Sequence, residues 1–330
     1  MRVFVTHNPE DLDAYYTKAL VELRKIADVV LNPTDRDLTT PELIEAANGC
    51  EVIVAHRATP GEAELFAELP DLLAFLRCAV DISTIDVDAA STAGVLVGQA
   101  DKSFVPSTAE IALALLMDTA RSVSESTVDY RNGVQPGQRP GRQLRGQTAG
   151  VIGYGAVGSY LADLLVGIGM DVLVTDPFVQ DVREPAKRVE LDELLTSSDA
   201  VFPLAPANED THHLIGAKAI AAMKPGATLI NVSRGELLDE AAVGAALDSG
   251  HLGALGMDVG MAADQRPSIE LAGRAGVVAT PHLGGLTPEN ADAQALSSVE
   301  QISAMIAGDM PPRTVNEADA TRLVEWWASR

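Results

Sequence analysis

The chain has 330 residues, enough for about two domains, and 47% of them are hydrophobic while only 4% are aromatic. That is the composition of a soluble globular protein whose cores are built from Ala, Val, Leu and Ile, as in parallel sheets covered by helices. The formal charge of −23 argues against binding nucleic acid or an anionic membrane through a general field, so an anionic ligand needs a local cluster of cations.

In chain order, strands are expected at 3–6, 27–31, 51–55, 72–79 and 95–99, with helices at 12–26, from about 40, and at 61–69. Thr40-Pro41-Glu42 reads as an N-cap followed by proline at the first helical position. This rhythm is that of a small parallel α/β sheet of about five strands. The N-terminal MRVFVTHNPEDLD passes from a short apolar strand into polar residues without a leader pattern, and no apolar run is long enough to span a membrane. Cys50 and Cys78 lie far apart, which points to two reduced thiols in the cytoplasm and to neither a disulfide framework nor a bound metal.

Ser107-Thr108-Ala109-Glu110 reads as a capping box opening a helix through Met117 that is apolar on most faces, as expected for a helix buried between domains. Residues 132–147 are rich in Gly, Pro, Gln and Arg and read as an exposed loop. Arg131, Arg139, Arg142 and Arg145 there are read as solvated, with contact to a partner as the alternative.

The chain is organised around residues 147–176, QTAGVIGYGAVGSYLADLLVGIGMDVLVTD, a strand, glycine turn, helix and second strand. Gly153, Gly155 and Gly158 form a G-x-G-x-x-G, in which the first allows the tight turn, the second lets backbone approach a pyrophosphate and the third lets helix pack on strand. Free N–H groups at the helix N-terminus suit the same anion. Eighteen residues after Gly158, Asp176 stands where an acid accepts hydrogen bonds from ribose hydroxyls and repels a 2′-phosphate, so NAD is expected rather than NADP. Strands at 200–204, 228–232, 254–259 and 277–280, with helices at 217–223 and 239–247, extend the unit to a six-strand doubly wound sheet of the Rossmann type. A last helix, 287–307, returns the chain toward the first domain.

Ligands in such sheets bind outside the carboxyl ends of the strands, which draws attention to Ser233-Arg234, Asp258 and His282. A 2-keto acid presents a carboxylate beside a carbonyl. A guanidinium holds the carboxylate bidentately, and the carbonyl accepts hydride only if a proton reaches its oxygen. Arg234 fits the first role, His282 the second as acid and base, and Asp258 is expected to hydrogen-bond the nicotinamide carboxamide.

VIGYGAVG from Val151, VTDPF from Val174, THHLIG and MKPGATLINVSRGELLDE between Thr211 and Glu240, and TPHLGGLTPE from Thr280 together resemble the NAD-dependent D-isomer-specific 2-hydroxyacid dehydrogenases over nearly the whole chain. The resemblance implies an NAD-binding Rossmann domain, 101–287, inserted in a smaller flavodoxin-like substrate domain, 1–100 and 288–330. It also implies an active site in the cleft between them, and a homodimer. It adds Ala156, Val157, Pro206, Val232 and Ser233 to the cofactor contacts, and Ala79 and Val80 to the substrate contacts. Arg57, Lys102 and Phe104 are further specificity candidates.

Two departures stand out. In the family a glutamate pairs with the catalytic histidine. Direct counting puts Ala263 at that position and a one-residue shift puts Asp264 there, and Asp264 is preferred because a carboxylate orients an imidazole and favours its protonated form. Otherwise His282 works unaided or with Gln265. In the substrate loop, Asp81 replaces a glycine: either it selects a substrate with a donor or positive group, or it is a turn residue accepting local backbone hydrogen bonds. The competing readings are a formate or phosphite dehydrogenase relative, and an NAD(H)-sensing protein similar to transcriptional corepressors.

Overall fold

The computed structural model describes residues 1–262 and 264–330. The chain divides into two compact units, Met1–Ser103 with Pro288–Arg330, and Phe104–Thr287.

In the first unit, short runs of apolar residues form β1 (Arg2–Val5), β2 (Asp28–Leu31), β3 (Val52–Ala55), β4 (Ala74–Arg77) and β5 (Leu96–Gly98), paired in parallel in the order β2-β1-β3-β4-β5. This is the flavodoxin-like order, with its switch point between β1 and β3. Both faces are covered, which is why β3 is an unbroken apolar run and β4 is buried at all four residues, its last being the buried Arg77. The helix Pro288–Ala307 closes one face, where Tyr16 Oη meets Ser298 Oγ at 2.6 Å and Gln301 Nε2 donates to the Gln99 carbonyl at 3.0 Å. The expected helix 12–26 is interrupted: a π-turn, Leu12–Tyr16, precedes Thr17–Ile26, and the extra residue turns Tyr16 inward to 1% exposure. The cap at Thr40 moves to Thr39, whose side chain and that of Glu42 complete a capping box.

The second unit holds a seven-stranded parallel sheet: β6 (Thr148–Ile152), β7 (Asp171–Thr175), β8 (Lys187–Arg188), β9 (Ala200–Pro203), β10 (Ala227–Asn231), β11 (Leu252–Met257) and β12 (Val277–Ala279). Their order is β12-β11-β10-β9-β6-β7-β8. The sequence reading of six strands misses β8, whose two polar residues carry no apolar signal. The helix Val105–Arg121 starts before the expected capping box, with Pro106 in its first turn, and Ser107 Oγ bonds back to the Phe104 carbonyl. It packs on this unit's own sheet, where Leu115 approaches the strand at Gly256. Arg139 in the loop 132–147 pairs with Asp129 and Glu125. No helix among the described residues is long and apolar enough to cross a membrane.

Candidate active site

The glycine turn after β6 is shaped by steric need at two glycines and by open space at the third. Gly153 has φ +98°, and a Cβ there would lie 2.9 Å from the Leu204 backbone; at Gly158 it would lie 2.0 Å from the Gly153 carbonyl oxygen. At Gly155 a Cβ would meet nothing within 4 Å among the described residues, so the backbone stands open for a ligand to approach. Ala156 and Val157 open the helix Ala156–Gly167 behind it, with Ala156 exposed. This arrangement fits a dinucleotide pyrophosphate.

Asp176, at the end of β7, accepts from Tyr154 N at 2.7 Å, Phe178 N at 2.8 Å and Val179 N at 3.0 Å. Partial burial pushes its pKa upward, but the three N–H groups and Arg188 outweigh this and hold the carboxyl below its ordinary value. The charge is therefore in place to brace the glycine turn.

At the end of β10, Asn231 shapes the turn that presents Arg234. Its Oδ1 accepts from Ser233 N at 3.1 Å and its Nδ2 donates to the Arg234 carbonyl at 2.8 Å. Ser233 Oγ donates to the Ala205 carbonyl, next to exposed Pro206, and so ties β10 to β9. The exposed Arg234 guanidinium donates to the neighbouring Ser233 carbonyl at 2.9 Å. Val232, expected among the cofactor contacts, is 5% exposed and belongs to the core cluster of this unit.

Asp258, at the end of β11, is 1% exposed and turns its carboxylate inward. Oδ1 accepts from Thr280 Oγ1 at 2.6 Å and Leu283 N at 2.7 Å, and Oδ2 from Gly284 N at 2.7 Å, while its carbonyl accepts from His282 N at 2.9 Å. The expected partner was a nicotinamide carboxamide; in the structure this carboxylate holds the loop that carries His282. That loop needs holding, because His282 has φ +61°, a conformation costly for a residue with a Cβ.

His282 Nδ1 lies 3.4 Å from the Asp264 backbone carbonyl. The expectation that the Asp264 carboxylate orients the imidazole is corrected. The side chain is about half exposed and turns to Arg266, accepting from Arg266 N at 3.1 Å and pairing with Nε at 3.3 Å. Ala263, the alternative at this position, lies outside the described residues. Gln265 has φ +58°, and its carbonyl closes the loop on Gly260 N at 2.8 Å.

The loops of Arg234 and His282 meet through the segment between them: a Cβ at Gly235 would lie 2.2 Å from the Gly260 carbonyl carbon. Sequence reading did not single out Asn231, Thr280 or Glu236. The first two are polar residues at strand ends, and Asn231 two residues before Ser233 is an Asx-turn spacing. Glu236 lines a cavity of about 450 Å³ with Ala207, Asn208, Glu209 and His212, and its buried Oε2 has no hydrogen-bond partner among the described residues. On the first unit, Ala79 and Val80 are partly exposed, and exposed Asp81 accepts from Ser83 N at 2.9 Å, as a turn aspartate does.

Residues 113–284 match the family model described as D-isomer specific 2-hydroxyacid dehydrogenase, NAD binding domain. The chain is 34% identical over 279 residues to a D-3-phosphoglycerate dehydrogenase of Mycobacterium leprae, which covers 83% of this chain and 53% of that protein. It thus spans about half the length of that relative. It is 30% identical over 305 residues to a hydroxypyruvate reductase of Thermotoga maritima, covering 92% of this chain and 98% of the relative. Among solved structures, the apo form of D-lactate dehydrogenase from Escherichia coli superposes with a TM-score of 0.79 at 25% identity, covering 96% of this chain and 100% of that one.

Proposed function

The chain belongs to the D-isomer specific 2-hydroxyacid dehydrogenase family and carries its NAD-binding domain, and from that premise we propose that it is an NAD-dependent 2-keto acid reductase, in reverse a D-2-hydroxyacid dehydrogenase. One observation carries this reading: Arg234, Asp258 and His282 stand at the carboxyl ends of the adjacent strands β10, β11 and β12, in the sheet that holds the open glycine turn.

In this proposal the Arg234 guanidinium gives up its weak bond to the Ser233 carbonyl and takes the substrate carboxylate, a bidentate charge-assisted pair. NADH, when bound, would supply the hydride from C4 of its nicotinamide, and NAD would accept it in the reverse direction. His282 gives a proton to the carbonyl oxygen of the substrate and removes it in the reverse direction. With Nδ1 facing the Asp264 carbonyl, that nitrogen keeps its hydrogen, and Nε2 is the atom that exchanges the proton. A carbonyl fixes the ring's orientation but adds no charge. Asp258 acts through His282, by holding its loop. Asp176 takes the adenosine ribose hydroxyls, and Asp176→Ala is expected to narrow the preference for NADH over NADPH. Ala79, Val80 and Asp81 are proposed to shape substrate choice, and likeness to the family extends the proposal to a homodimer in the cytoplasm.

The test is consumption of NADH with glyoxylate, hydroxypyruvate, pyruvate and phenylpyruvate, with NADPH alongside. Turnover of at least one acid with NADH preferred is expected. Tight NADH binding without turnover of any acid would move the chain to the sensor reading.

A further inference from the structure

We propose that the first unit carries a binding site for a divalent transition metal of the zinc class, formed by Asp11, Asp37 and His56 at the carboxyl ends of β1, β2 and β3. One ligand atom from each of the three lies within 4.8 Å of the other two. His56 Nδ1 and Asp11 Oδ2 are 3.7 Å apart, close to the separation of two ligands on a four-coordinate ion with bonds of about 2.0–2.2 Å. The strand order places the site at the switch point between β1 and β3, where connections leave the sheet in opposite directions and a crevice opens.

Each donor sits on backbone that the fold fixes. Asp11 N bonds to Asn8 Oδ1 at 3.0 Å, and Asn8 Nδ2 donates to Asp11 Oδ2 at 2.8 Å. His56 N donates to Thr6 Oγ1 at 2.9 Å. Asn32 Nδ2 donates to the carbonyls of Thr6 and Arg36, which anchors the loop leading to Asp37 on the end of β1.

A second observation points to a ligand. His7, 1% exposed, packs its ring 5.1 Å from that of His56, and its buried Nδ1 has no hydrogen-bond partner among the described residues. A buried ring nitrogen without a partner is uncommon and calls for an unseen hydrogen-bonding partner, and a water carried by an ion beside His56 is such a partner. His56 Nδ1 accepts from Ala58 N at 3.4 Å, so in the fold this nitrogen already acts as an acceptor, the form in which an imidazole binds a metal. Two carboxylate oxygens and one imidazole suit zinc, whereas magnesium and calcium prefer oxygen throughout. With three protein ligands the ion keeps an open position, and Asp37 lies exposed to solvent.

The test is calorimetric titration of the full chain, freed of metal by chelation, with Zn²⁺ and separately with Mg²⁺. One equivalent of Zn²⁺ is expected to bind, and His56→Ala and Asp37→Asn are each expected to weaken it at least about tenfold. Asp37→Asn lies on the surface and keeps the test valid if His56→Ala does not fold. Absence of saturable Zn²⁺ binding, binding unchanged in Asp37→Asn, or Mg²⁺ binding as tightly as Zn²⁺ would each overturn the assignment.

Discussion

His282 holds a left-handed backbone, φ +61°, while its neighbours Leu283 and Gly284 give their N–H groups to buried Asp258. Strain at a residue held by an over-determined loop is a mark of a working side chain. Replacing His282 with Gln is expected to lower turnover by about 10²–10⁴-fold while NADH still binds, which steady-state kinetics and fluorescence titration check. Asp264 gives the opposite expectation. Because its carboxylate serves an exposed pair with Arg266, worth about 0–1 kcal/mol, Asp264→Asn should change kcat by less than about fivefold and leave the pH profile in place. A displaced profile would mean that the carboxylate reaches the imidazole during turnover. At this scale Arg234, Asp258 and His282 were legible as polar residues ending apolar runs. Their directions were not: spacing cannot tell that Asp258 faces the His282 loop, or that Asp264 offers its carbonyl rather than its side chain. The Asp11, Asp37 and His56 cluster was illegible for a related reason, since its donors come from three separated segments with no motif spacing.

The strand, turn and helix unit from β6 to β7 was readable almost residue by residue, because Gly153 and Gly158 answer steric demands and Gly155 leaves its backbone open. Gly158→Ala forces a Cβ to 2.0 Å from the Gly153 carbonyl oxygen, so the turn or the helix must shift. A loss of several kcal/mol of stability is expected, in the class of overpacked or strained sites. Gly155→Ala meets nothing within 4 Å among the described residues, so thermal unfolding should be nearly unchanged while NADH affinity falls. The pair separates a structural glycine from a ligand-facing one. Equal losses of stability in both would refute that division, and unchanged NADH affinity in Gly155→Ala would remove the turn from the cofactor site. Other elements were less legible. The cap falls at Thr39 because Thr39 and Glu42 form the capping box, whereas the helix Val105–Arg121 starts ahead of its expected capping box with proline in its first turn. The π-turn at Leu12–Tyr16 leaves no trace in helical periodicity beyond the inward tyrosine.

At the scale of the molecule, two parallel sheets were legible because strands buried on both faces are continuous apolar runs separated by amphipathic helices. The edge strand β8 was not, since two polar residues at a sheet margin bury nothing. Substrate identity is the least legible property. In the proposed reading it depends on where the side chains of the loop 78–84 point, and the Asp81 carboxylate on Ser83 N is a fact of folded geometry rather than of composition. In the proposed reading the chemistry is carried by the second unit's strand ends whatever the substrate. The most direct measurement is therefore isotopic: incubate the chain with NADH deuterated at C4 and the 2-keto acid it turns over fastest, then determine the position of the label and the configuration of the product. Deuterium at C2 of a D-2-hydroxy acid is the predicted result. A product of L configuration, or one with no label at C2, would contradict the account.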